Sequence, residues 1–80
     1  MDFRELLRRK GYTQTRLSQV AGVSQSNLSI YCNYRHTLEA SSLLTRQRIS
    51  QALDMTVEEF EMTLKLEPAR ILASNKQYRY

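Results

Sequence analysis

The sequence predicts an all-α domain, and three observations carry that expectation. Apolar residues recur at i, i+3 and i+4 along most of the chain, the spacing of one helix face. Helix start and stop signals punctuate those runs, with Thr13, Ser24 and Thr56 placed to cap and Gly11 and Gly22 placed to end them. A length of 80 residues allows one small domain with a helical core of modest size.

The first helix is expected from about Asp2 to Lys10, with Phe3, Leu6 and Leu7 inward and Arg4, Arg8 and Arg9 outward. Its acids come mostly first and its bases mostly last, in keeping with the helix dipole. Gly11 ends it. Thr13 caps a second helix that has Gln14 in its first turn and Leu17, Val20 and Ala21 on one face. Gly22 can adopt the left-handed conformation that closes this helix, and Ser24 can cap a third whose inner face is Leu28, Tyr31 and Cys32. Thr13 to Asn33 therefore reads as two short amphipathic helices around a tight turn.

Tyr34 to Thr37 reads as a polar connection without periodicity. From Leu38 to Leu53 a helix is expected, but its stripe is imperfect: Ile49, Ala52 and Leu53 share a face with Leu38, while Leu43 and Leu44 point elsewhere. Either the helix breaks near Thr45, or the Leu43/Leu44 edge meets a second copy of the chain or the tail. The last helix begins at Thr56, where Thr56 and Glu59 form a capping box and Val57, Phe60 and Leu64 supply the inner face. Met62 and Leu66 fall on the opposite arc, as ordinary exposed residues or as a further contact. Residues 1–67 make the folded domain; residues 68–80 are a tail that is a short helix, a strand or a disordered arm.

Composition narrows the function classes. The net charge is +4, yet residues 1–53 hold eight Lys or Arg against three acids, whereas residues 54–67 hold one Lys against five acids. The basic end coincides with the two-helix stretch, which suits phosphate binding, and the acidic end is expected to face away from it. A single Cys and a single His exclude an intramolecular disulfide and a zinc site of the usual Cys/His type. His36 has no partner placed by a catalytic motif, so no enzyme activity is expected, and no cofactor or small-molecule ligand. No apolar run approaches the roughly 18 residues that span a membrane, and Met1 leads directly into an amphipathic segment. The expected location is cytoplasmic.

The outward arc of the third helix carries Ser26, Ser29, Ile30 and Asn33, with Gln25 at its exposed first turn. Amides, hydroxyls and one aliphatic side chain, without charge, are the groups that read base edges: an amide pairs with adenine, hydroxyls donate or accept, and Ile30 can touch a thymine methyl. The same residues are also ordinary solvent-facing ones, so the flanking geometry decides. Gln14, at a helix start, is placed for a backbone phosphate or merely tolerates the position. Arg35, just past the third helix, is a candidate phosphate clamp, and Lys10 and Arg16 add nearby positive charge.

The ordered set of features resembles the phage-repressor-like helix-turn-helix domain of the Xre, or Cro/C1, family of bacterial and phage regulators. The matching residues are Gly11-Tyr12-Thr13-Gln14, Leu17, Ala21-Gly22-Val23-Ser24, Leu28-Ser29 and the run Ala52 to Phe60. The resemblance implies a compact, lambda-repressor-like bundle of five helices in which the third enters the major groove. It implies that Gln14 and Asn33 contact phosphate and that Gln25, Ser26 and Ile30 fall at base-reading positions. Three differences stand out: Ser18 in place of the common Ala, Tyr34 in place of the usual Gly, and about three extra residues, nearly one helical turn, around Thr45 to Gln47.

The function expected from all this is a sequence-specific regulator of transcription that binds double-stranded DNA, a repressor acting as a homodimer by blocking a promoter. The alternative is a protein-interaction module on the same fold, antitoxin-like or an adaptor, that uses the Leu43/Leu44 edge and the tail.

Overall fold

The computed structural model describes residues 1–69, which form six helices and no strand. They are α1 (Phe3–Lys10), α2 (Gln14–Ala21), α3 (Gln25–Asn33), α4 (Arg35–Glu39), α5 (Leu43–Ala52) and α6 (Val57–Leu64). The α2–α3 pair is the expected helix-turn-helix; α5 packs on α2 and on α6, while α3 packs against α1 and α4.

Five of the six helices start on a side-chain cap. The carboxylate of Asp2 accepts from the Glu5 N–H at 2.8 Å, and the hydroxyls of Thr13, Ser24, Ser42 and Thr56 accept from the N–H three residues on at 3.0–3.2 Å. At Thr56 the box is complete, since the Glu59 carboxylate accepts from the Thr56 N–H at 2.9 Å. Each such cap is worth about 1 kcal/mol.

The stops are equally local. Gly11 and Gly22 take φ of +77° and +70°, as the sequence predicts. Where α5 and α6 end, Asp54 and Lys65 adopt the same left-handed conformation at φ +62° and +58°. Three of these turns close with a bond from the next residue back to a carbonyl five positions earlier: Tyr12 to Leu7, Met55 to Ser50 and Leu66 to Glu61, at 2.8–2.9 Å. In each case the reversal returns an apolar side chain to the core.

That geometry corrects two expectations about facing. Leu66 is buried rather than on the arc of Met62, because Lys65 turns the chain before another helical residue is added. Met62 itself is 77% exposed. Val20 is 47% exposed rather than inward, and Val23, carried back by the turn at Gly22, is buried.

The segment after Asn33 differs most. The polar connection contains α4, and the expected single helix from Leu38 to Leu53 is two helices, so the count is six rather than five. The break falls at Ala40–Ser42 instead of near Thr45. Ser41 and Ser42 make it: the Ser41 hydroxyl donates back to the Leu38 carbonyl at 2.6 Å, and Ser42 caps the new helix. Thr45 is the residue whose N–H receives that cap.

The core joins all six helices through Phe3, Leu6, Leu7, Leu17, Leu28, Leu38, Ile49, Leu53, Phe60 and Leu64. Phe3 and Phe60 meet edge to face, with ring centroids 6.1 Å apart and planes at 86°. Tyr31 and Cys32 pack on the rim of this cluster, half-buried. No helix among the described residues is long and apolar enough to cross a membrane.

Candidate nucleic-acid interface

Leu28 anchors α3 by having no exposed surface, and this fixes which side of the helix faces outward. Gln25, Ser26, Ile30 and Asn33 are exposed, and Ser29 is half-buried between them. The five residues selected from the sequence thus share one accessible face. It is continuous with the start of α2, because the Gln25 side chain reaches across the turn and its Nε2 donates to the Thr15 hydroxyl at 2.9 Å. An amide bridged in this way keeps a carbonyl, which can accept from adenine N6–H, and one further N–H, which can donate to adenine N7.

At the other end of the face the Asn33 amide is held between two neighbours. Arg4 of α1 donates from Nη2 to its Oδ1 at 2.5 Å, and its Nδ2 donates to the Ser29 hydroxyl at 3.4 Å. Gln14 is half-buried close by, in reach of the Cys32 thiol beside Arg4. Burial pushes the Cys32 thiol up, against the smaller opposing effect of the Arg4 guanidinium.

The basic residues divide. Arg16 is exposed on the first turn of α2, and Arg48 reaches from α5 to the Gly22 carbonyl at 3.4 Å, both next to the helix-turn-helix. Lys10 lines a shallow depression with Asp54 and Glu59, on the acidic side of the domain. Arg35 turns inward to α6: its Nη2 donates to the Leu64 and Lys65 carbonyls at 2.5 and 3.1 Å, and its Nε pairs with Glu39 at 3.0 Å. Those bonds tie the guanidinium to the C-terminus of α6, while its side chain stays 45% exposed and its Nη1 donors remain available. Of the Leu43/Leu44 edge, Leu43 is half-buried and Leu44 is 57% exposed.

Two residues that shape this face are absent from the expected set. Thr15 and Arg4 act on Gln25 and Asn33 from 10 and 29 positions away, and only the packing of α1 and α2 on α3 brings them there. Away from this face, Arg46, counted in the basic charge of residues 1–53, is 1% exposed inside the domain. Its spacing to Ile49 and Leu53, at i+3 and i+7, was the available signal.

A DNA-binding helix-turn-helix domain is the class that this architecture and face define. The chain belongs to the Cro/C1-type HTH DNA-binding domain family, whose sequence model matches residues 2–63. The match begins at the cap of α1 and ends in α6, so it takes in the core except Leu64 and Leu66. Comparison with curated proteins and with solved structures returns no match.

Proposed function

We propose that this protein is a sequence-specific regulator of transcription, a repressor that occupies a promoter with α3 in the major groove. The observation that supports this most is the exposed, uncharged face of Gln25, Ser26, Ser29 and Ile30 on a helix fixed by Leu28. Such a face has the donors, acceptors and methyl contact that distinguish base pairs, and no charge that would bind all sequences alike. Gln14, Asn33 and Arg16 flank it and hold the backbone. Two copies bind as a homodimer through the Leu43/Leu44 edge and read a two-part site one or more helical turns long.

Selection of bound oligonucleotides from a random duplex pool tests the reading, since the recovered motif reports both base preference and symmetry. Gln25→Ala is expected to cost about 1–3 kcal/mol of discrimination at particular base pairs. If this variant weakens every sequence equally, Gln25 does not read bases. Absence of any salt-dependent binding to random duplex DNA would instead favour a protein-interaction module on this fold.

A further inference from the structure

Arg4, Asn33 and Ser29 form a chain of hydrogen bonds whose direction is set by chemistry at every link. A guanidinium carries donors only, so the atom of Asn33 at 2.5 Å from Arg4 Nη2 is its carbonyl oxygen. The amide nitrogen then necessarily faces the other way, towards Ser29 Oγ at 3.4 Å, and it too can only donate. The Ser29 hydroxyl therefore accepts from Asn33, and its single hydrogen is left to point elsewhere. Ser29 stands on the outward face of α3, between the exposed Gln25, Ser26 and Ile30.

We propose that Arg4 is a specificity-determining positioning residue which, through Asn33, orients the Ser29 hydroxyl as a donor towards an acceptor-bearing base edge. This inference rests on the reading of α3 as the base-contacting helix. The edges that offer such an acceptor in the major groove are guanine N7 and O6, adenine N7 and thymine O4. The charge of Arg4 strengthens the first bond and polarises the second. Arg4 lies on the first turn of α1, an element assigned no base contact, and lines a surface depression together with Asp2, Glu5 and Arg8.

The test is a set of binding titrations of full-length wild type, Ser29→Ala, Asn33→Ala, Arg4→Met and the Arg4→Met/Asn33→Ala double variant. Each is titrated against the selected duplex and its single-base-pair variants, with a thermal melt of each protein. Ser29→Ala identifies its base pair by relaxing the preference there. Asn33→Ala and Arg4→Met are expected to relax the same pair by about fivefold, the lower end of what one base contact gives. In the Asn33→Ala background, Arg4→Met is expected to add nothing at that pair. The proposal is overturned if Arg4→Met weakens all duplexes alike with the preference intact, for Arg4 is then only a phosphate contact. It is also overturned if Asn33→Ala leaves the Ser29 pair unchanged, a comparison that holds even if Arg4→Met fails to fold. If Ser29→Ala relaxes no pair while Gln25→Ala does, the relay has no target although α3 still reads bases. If neither relaxes any pair, the base-reading assignment of α3 fails first.

Discussion

Arg46 of α5 and Glu61 of α6 form an ion pair inside the domain, with Nη1 and Oε2 2.9 Å apart and both residues buried. The pair is embedded in further bonds. Arg46 also donates to the Ser41 hydroxyl at 2.9 Å and to the carbonyls of Glu67, Glu39 and Leu38 at 2.6–3.4 Å, and the Glu61 carboxylate accepts from the Ala69 N–H at 3.3 Å. One guanidinium thus joins the α4–α5 bend, α6 and the segment that follows it. Arg46→Met removes all of these bonds and leaves a buried carboxylate without its cation, at an expected cost of about 3–5 kcal/mol. Glu61→Gln leaves Arg46 its carbonyl partners and is expected to cost less. Urea unfolding of the two variants measures the difference, and equal losses would show that the carbonyl bonds contribute little.

Lys65 is strained by its left-handed φ of +58°, a conformation that costs a residue with a Cβ about 1–2 kcal/mol. Glycine adopts it freely but loses more backbone entropy on folding. Lys65→Gly is therefore expected to raise stability by about 0.5–1 kcal/mol, read as a higher thermal midpoint. The gain at Asp54, where φ is +62°, is expected to be smaller, since Asp tolerates this region better.

Glu5 carries the acid sensitivity of α1. Its carboxylate bonds to Arg9 and to Arg8, and these hold it below the ordinary value of 4.5. A depressed carboxylate stabilises the fold above its unfolded pKa and loses that contribution as pH falls through the folded value. The stability difference between wild type and Glu5→Gln is therefore expected to shrink as pH drops below about 4.5. The side chain is exposed, so the effect is small and weaker in high salt. A carboxyl chemical-shift titration of Glu5 in the wild type reads the depressed pKa directly.

Leu44 tests the assembly. Placing a charge there by Leu44→Glu leaves the core intact, because the side chain is largely outside it. If α5 forms the contact between copies, sedimentation at micromolar concentration is expected to shift towards the monomer, with unchanged helicity. A wild type that sediments as a monomer on its own would remove the Leu43/Leu44 edge from the account.

Local chemistry was the legible part of the sequence. Caps at Thr13, Ser24 and Thr56, stops at Gly11 and Gly22 and the stripe around Leu28 each depend on residues within a few positions. The α2–α3 unit and its outward face followed from them. What escaped depended on contacts between distant parts. Val23 is buried and Val20 is not, because the turn rather than the helix period decides which returns to the core. Arg46 counts as one more base in the charge sum until Glu61 and four other bonding partners surround it. The bonds from Arg35 to the end of α6 span 29 and 30 positions and have no signal in the sequence. The imperfect stripe from Leu38 to Leu53 signalled a break, but its position was written in the capping residues Ser41 and Ser42 rather than at Thr45.

The seat of Arg35 on the α6 carbonyls bears on how the protein is tuned to ionic conditions. Each phosphate that a cation neutralises releases condensed counterions, and the salt exponent of binding grows by about 0.9 per contact. Formal charge suggests a steep exponent for the basic half of this chain. Yet Arg46 is in the core, Arg35 caps a helix, Arg8 and Arg9 share Glu5, and Lys10 sits beside Asp54 and Glu59. On the proposed function, the exponent contributed by the described residues of that half is expected to follow from Arg16 and Arg48, with Arg4 engaged by Asn33, rather than from the formal total. Affinity built this way is expected to depend less on the surrounding salt than the formal charge suggests.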